Sequence, residues 1–241
     1  MKIDKQYFKG YKKESVQLFK DILQTYGQKV FDEQALPAYT NPNPLMQYLF
    51  WLRVKYTMQY ILDLQDCNEC LDFGCGLGVM IPFLVNESKS IIALDLDTNL
   101  LEKIGEEKKW TNVQYSNNLD HLHSQAGKID LILAMDVLEH IDNLDAVLQS
   151  FNELLSPNGS ILVTGPTENF LYKIGRRLAN YSGEYHKRNI HSIAAQLGDL
   201  FTINRYKTLF PIFDFLRSIL QRNRFRLYFQ GFHLPFFVFR R

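Results

Sequence analysis

The chain has 241 residues, 46% hydrophobic and 22% charged, with a formal net charge of +1. That length suits one sizeable α/β domain with an extension, and the near-neutral charge gives no global drive toward nucleic acid. No apolar run reaches the roughly 18 residues of a spanning helix, and three cysteines do not make a secreted disulfide framework.

The opening stretch, MKIDKQYFKGYKKE, lacks the apolar core of a signal peptide, so a cytoplasmic protein with reduced thiols is expected. Leu18, Ile22 and Leu23 recur at helical spacing and predict an amphipathic helix over about 14–26. Residues 36–44, LPAYTNPNP, read as a turn-rich linker because two Asn-Pro pairs disfavour regular helix. Residues 45–62 read as a longer, strongly apolar helix carrying Phe50, Trp51 and Arg53. It is expected to cap an acceptor pocket or meet the C-terminal segment. Residues 1–65 thus read as an N-terminal helical extension, and 66–241 as the main domain.

From Glu69 short apolar runs alternate with helical segments. The runs are CLDFG, SIIALDLD, VQYS, IDLILAM and, after an SPNG turn, SILVTG. Between them lie helices at about 77–86, 98–109 and 142–155. Helix-like segments at about 168–180 and 189–197 follow, and FTINRYKTLF and HLPFFVF read as two closing strands. The pattern implies an α/β, Rossmann-like, doubly wound fold. Its mostly parallel seven-stranded sheet carries helices on both faces. Such sheets bind ligands beyond the carboxyl ends of their strands.

The stretch CNECLDFGCGLGVM, Cys67 to Met80, allows three readings. Cys67 and Cys70 have the gap of a zinc knuckle, but no second pair follows, so no metal site is expected there. A dinucleotide fingerprint would place its third glycine at position 79, where this chain has Val79. The third reading is a nucleoside cofactor without a pyrophosphate. Gly74, Gly76 and Gly78 let the backbone approach such a ligand, and Asp95 at the end of the next strand can accept hydrogen bonds from both ribose hydroxyls. Asp97 and Thr98 are the better placed to open the following helix.

Four blocks, LDFGCGLG (71–78), ALDLD (93–97), IDLILAMDVLEHI (129–141) and LLSPNGSILVTGP (154–166), resemble the class I methyltransferases that depend on S-adenosyl-L-methionine (SAM), in the ubiquinone/menaquinone-methyltransferase-like group. The resemblance covers about 65–210 and implies SAM as cofactor. It implies that Asp72 orders the loop and faces the methionine amino group, and that Gly74, Cys75, Gly76 and Gly78 line the methionine and ribose. Asp95 would hold the ribose hydroxyls, with Leu96 against the adenine. Where the group usually has an acid for the adenine amine, this chain offers Asn117 or Asn118. Met135 and Asp136 would border the sulfonium.

Methyl transfer needs alignment and, for a hydroxyl acceptor, removal of a proton. His140 in DVLEH, and Tyr185, His186 and His191 after the fifth strand, are the candidate acid/base or positioning groups. Related enzymes can bind a divalent metal through an acid-x-x-Glu-His pattern, which Asp136, Glu139 and His140 match, but no metal is expected here. Arg176 and Arg177 are candidates for holding an anionic acceptor or for a solvated helix face. The fourth-strand loop lacks Asn/Asp-Pro-Pro-Tyr, the group's mark for planar amines, which leaves oxygen as the favoured acceptor atom. The acceptor is expected to be small or lipid-linked. From 210 to 241 there are six arginines, one acid and nine phenylalanines. That mixture suits the packing of closing strands first and contact with a membrane surface at the inner face second; nucleic acid is the least favoured partner. Two other functions compete: a SAM-binding scaffold without catalysis in a membrane-associated biosynthetic complex, and an NAD-dependent oxidoreductase, which Val79 disfavours.

Overall fold

The computed structural model describes residues 3–33, 37–64, 67–165, 190–208 and 235–240. Three N-terminal helices come first: α1 (Lys5–Glu33), the single turn α2 (Pro37–Thr40) and α3 (Pro44–Asp63). Then come β1 (Glu69–Phe73), α4 (Ile81–Glu87), β2 (Ser90–Leu94), α5 (Asn99–Lys108), β3 (Val113–Ser116) and β4 (Ile129–Met135). The chain continues through α6 (Leu144–Leu154), β5 (Leu155–Thr164), α7 (Ile190–Leu200), β6 (Thr202–Thr208) and β7 (Pro235–Arg240). The seven strands lie in the order β3-β2-β1-β4-β5-β7-β6. β1 to β5 are parallel, and β7 runs antiparallel between β5 and β6. The doubly wound α/β architecture expected from the sequence is therefore present.

Alternate strand residues serve opposite cores, as a pleated sheet requires. Cys70, Ile91, Ala93, Leu131, Leu133 and Leu162 pack with α1, α3 and α4. Leu71, Phe73, Ile92, Leu94, Ile132 and Ile161 pack with α6 and α7. In β1 this parity puts Asp72 on the face shared with Cys70, beneath the N-terminal helices. β1, β2, β4 and the second half of β5 are buried on both faces, which is why they read as unbroken apolar runs, whereas the edge strand β3 is only partly covered.

Several boundaries differ from the sequence expectation, each for a local reason. α1 starts ahead of residue 14 because the Asp4 carboxylate accepts the amides of Gln6 and Tyr7, at 2.8 and 2.9 Å. Its inward residues include Tyr11 and Ser15, which a search for aliphatic periodicity passes over. It breaks at Gly27, where φ is 84°. α4 starts at Ile81 rather than 77, because residues 77–80 are spent on the turn after the glycine loop. β2 stops at Leu94, because Asp95 bonds the amide of Leu96 with its own carboxylate. The SPNG turn lies inside β5 as an irregularity. Ile129 pairs with Leu155 and Leu131 with Ser160, so residues 156–159 loop out of register. The segment 168–180 and most of 210–241 lie outside the described residues. The final FFVF does form the inner strand β7, with Val238 and Phe239 fully buried.

Candidate active site

The carboxyl ends of β1 and β2 meet in a tight loop. The amides of Gly74 and Cys75 both donate to the Leu94 carbonyl, at 2.7 and 3.1 Å. Gly74 has φ 72°, and a Cβ there would lie 2.4 Å from Val137 Cγ2. Gly78 has φ 69°, and its Cβ would lie 2.7 Å from both Ile81 and Leu101. Both positions combine a left-handed backbone with no space for a side chain, so glycine is required. Cys75 is buried, and burial pushes its thiol well above the ordinary range. It is an inert small side chain here.

Asp95 ties the two strand ends together. One carboxylate oxygen accepts the Gly76 amide and the other the Leu96 amide, each at 2.7 Å. Each oxygen keeps a further lone-pair site, so the carboxylate can still receive a vicinal diol. Asp97 accepts the Asn99 amide at 3.0 Å and opens α5, leaving Asp95 for the strand end. Asp72 lies below the loop and is only 4% exposed. Burial, and then the neighbouring charge of Asp95, push its carboxyl up to about 7. An acid held this way gains from an arriving cation.

Beyond Asp95 opens a cleft of about 650 Å³ lined by Leu96, Thr98, Tyr115, Ser116, Asn117 and His121, among others. Leu96 is 92% exposed, an apolar side chain standing at the cleft edge. Asn117 lines the cleft, whereas the Asn118 side chain accepts the Asp120 amide at 3.0 Å and caps a short 3-10 turn.

The end of β4 is built differently. Met135 is half-buried there. Asp136 adopts φ 54°, a left-handed conformation that a non-glycine residue holds only under constraint. Its amide donates to the Thr164 carbonyl at 3.0 Å, and its carboxylate pairs with Arg53 of α3. Arg53 is buried and lies over the Phe50 ring at 4.9 Å. Glu139, in the following 3-10 turn, is only 2% exposed. Burial pushes its carboxyl up to about 7, although its own backbone amide and Arg53 pull the other way. His140 is exposed.

The N-terminal helices close over this end. The Tyr11 hydroxyl donates to the Val79 carbonyl at the exit of the glycine loop. Tyr39 is pushed up to about 12, chiefly by burial, against the opposing charge of Arg53, with Asp72 adding to the rise. Trp51 donates its indole N–H to the Tyr39 carbonyl at 3.0 Å, and Phe19, Phe50 and Trp51 ring Tyr39 with centroids 5.6–5.9 Å away.

Comparison with known proteins agrees with this geometry. Residues 45–215 match a protein family described as a methyltransferase domain. The chain belongs to this methyltransferase family. The ubiquinone biosynthesis O-methyltransferase of Coxiella burnetii (strain Dugway 5J108-111) is 25% identical over 122 residues, covering 49% of this chain and 51% of that protein. The enzyme of the same name from Vibrio parahaemolyticus is 27% identical over 111 residues, covering 43% and 47%. The matches thus span about half the length of these curated relatives. Among solved structures, the N-methyltransferase NodS from Bradyrhizobium japonicum WM9, in complex with S-adenosyl-L-homocysteine (SAH), has a TM-score of 0.61 at 16% identity, covering 88% of this chain and 96% of that one. A [4+2]-cyclase, SpnF, has a TM-score of 0.57 at 13% identity, covering 77% and 80%. The fold is that of the class I SAM-dependent methyltransferases.

Within this methyltransferase fold, Asp72, Gly74, Cys75, Gly76, Gly78, Asp95, Leu96 and Asn117 gather around the ends of β1, β2 and β3. Met135 and Asp136 stand at the end of β4. His191 is the second residue of α7, whose first residue, Ile190, packs within 2.9 Å of a Cβ built on Gly165. Tyr185, His186, Arg176 and Arg177 lie outside the described residues. Among the described residues, no three His, Cys, Asp or Glu side chains converge as a metal site. Asp136 pairs with Arg53, Glu139 is buried within the influence of the same guanidinium, and His140 is exposed. The sequence reading missed the burial of Glu139 and the roles of Tyr11 and Tyr39. An arginine inside the apolar run LFWLRVKY was the available signal for Arg53, because a buried guanidinium demands a partner.

Proposed function

We propose that this protein is a SAM-dependent methyltransferase acting on an oxygen of a small or lipid-linked acceptor. The observation that carries the cofactor half is the placement of two acids on either side of one glycine loop. Asp72 lies beneath the loop with a raised pKa, and Asp95 lies at its rim with lone pairs left over. A methionine ammonium and a ribose diol are the groups that suit those two carboxylates. The cleft past Leu96 has the polar lining and room for a purine, with the Asn117 amide available to its exocyclic nitrogen.

The bound cofactor supplies an electrophilic methyl group. The chain's own task is to align an acceptor oxygen with it, exclude water and receive the hydroxyl proton. In this reading α1–α3, within an extension of residues 1–65, cover the cofactor loop and the end of β4, and 66–241 form the catalytic domain. Proton removal falls to His186, Tyr185, His191 or His140, all placed after the fourth and fifth strands. The oxygen preference is supported by the names of the curated relatives and by the missing amine-recognition motif. Contact of residues 210–241 with a membrane surface would bring a lipid-linked acceptor to the site. No helix among the described residues is long and apolar enough to cross a membrane.

The test is incubation of purified protein and SAM with separated lipid and polar extracts, followed by detection of SAH. Turnover with a hydroxylated acceptor, and a methyl ether in its product, is the expected result. Turnover confined to amine acceptors would refute the oxygen assignment.

A further inference from the structure

Helix α1 is charge-segregated around its circumference. At about 100° per residue, Lys5, Lys9, Lys13 and Lys20 fall within about 80° of one another, and all four are exposed. Glu14 and Asp21 occupy the opposite flank, where Asp21 accepts a hydrogen bond from Gln17 at 2.8 Å. The inward stripe of Tyr11, Ser15, Phe19 and Ile22 lies between the two flanks.

The basic flank borders α3, which runs antiparallel to α1. The Ile3 amide donates to the Gln59 side chain at 2.8 Å, and Lys12 Nζ donates to Gln47 Oε1 at 3.1 Å. Lys12 Nζ also stands 5.8 Å from the Trp51 ring centroid, and Lys55 Nζ stands 5.7 Å from that of Phe8. Two more cations therefore sit on the seam. Next to Gln47, Tyr48 is 57% exposed, a large amphipathic ring left in solvent. Asp4 and Asp63 stand at the Lys5 end of the hairpin, where Asp4 is engaged in capping α1, and Glu14 and Asp21 keep to the other flank of the helix.

We infer that the outer face of the α1/α3 hairpin is a docking surface for an anionic phospholipid membrane. Its charges are carried by lysine, whose flexible stems let ammonium groups reach headgroups without a fixed hydrogen-bonding geometry. Tyr48 has the amphipathic character of side chains that settle at headgroup level. The same hairpin covers the cofactor loop through Tyr11 and the β4 end through Arg53, so docking would hold the site next to the bilayer. The inference deepens the reading of a lipid-linked acceptor and rests on residues outside the 210–241 segment.

The test is co-sedimentation of the full chain with vesicles of phosphatidylcholine alone or with 30% phosphatidylglycerol. The variants are K5Q/K9Q/K13Q/K20Q, its charge-preserving counterpart K5R/K9R/K13R/K20R, and R217Q/R222Q/R224Q/R226Q. SAH binding by calorimetry reports independently on the fold and the cofactor site. Each lysine near an anionic leaflet strengthens partition by about fivefold, so losing four should weaken it by at least about tenfold. The expected result is binding that needs phosphatidylglycerol, fades in 0.5 M salt, drops in the glutamine variant, persists in the arginine one, and leaves SAH binding intact. Equal binding by the wild type and the glutamine variant would overturn the inference, as would indifference to phosphatidylglycerol. Tight binding to polyuridine without vesicle binding would overturn it too. Loss of SAH binding in the wild type would instead overturn the cofactor reading.

Discussion

The glycine loop and the end of β4 lie side by side but are built on different principles. The loop is a backbone device: amides of 74, 75, 76 and 96 converge on one carbonyl and one carboxylate, within a short span of chain. The β4 end is a side-chain device. Asp136 is held in a left-handed conformation by a guanidinium delivered from α3, more than eighty residues earlier. A backbone device tolerates side-chain change except where a Cβ has no room. A side-chain device fails when either partner is removed.

Substitutions can break that contrast in order of severity. Gly78→Val puts a branched side chain where a Cβ alone would lie 2.7 Å from Ile81 and Leu101, at φ 69°. Strain and overpacking together should cost about 4 kcal/mol of stability, read by urea denaturation. A loss below about 1 kcal/mol would show that the loop is not close-packed. Arg53→Ala leaves Asp136 without its buried partner. The pair is tight but the aspartate side chain is a quarter exposed, so about 2–3 kcal/mol is expected rather than the full cost of a buried pair. The double variant Arg53→Ala/Asp136→Ala should recover part of it.

The smaller effects concern ligand and proton. Asp72 and Glu139 are both raised to about 7. A carboxyl whose folded pKa exceeds its unfolded value favours the fold fully at acid pH, below its ordinary range, and that contribution is lost as pH rises through 7. The ligand-free protein should therefore lose thermal stability between about pH 4 and 7, and Asp72→Asn should flatten that slope. SAM would pair its ammonium with ionised Asp72, so its affinity should rise with pH through 7, with proton release visible in buffers of different ionisation enthalpy. Tyr11→Phe removes one hydroxyl from the Val79 carbonyl and should cost about 1 kcal/mol in stability.

The same contrast explains what could be read from the sequence. The loop, Asp95 and the alternating strands were legible because local spacing encodes them: glycines every second residue, an acid at a strand end, unbroken Ile and Leu runs. The Asn117 and Asn118 alternatives needed the backbone of the 3-10 turn before one could be assigned to capping. The Arg53–Asp136 pair was not legible, because no short-range rule predicts which buried charge a distant helix will meet. The burial of Glu139 was equally hidden, since a 3-10 turn rather than a helix decides which way it and His140 face.

The central claim is that the glycine loop and its two acids hold SAM. Calorimetric titration of the wild type and Asp95→Ala with SAM, SAH and NAD tests it most directly. The account predicts saturable SAM and SAH binding, no NAD binding, and a loss of at least about 1.5 kcal/mol in Asp95→Ala, the value of charged hydrogen bonds to a diol. NAD binding without SAM or SAH binding, or an Asp95→Ala affinity equal to the wild type, would contradict it.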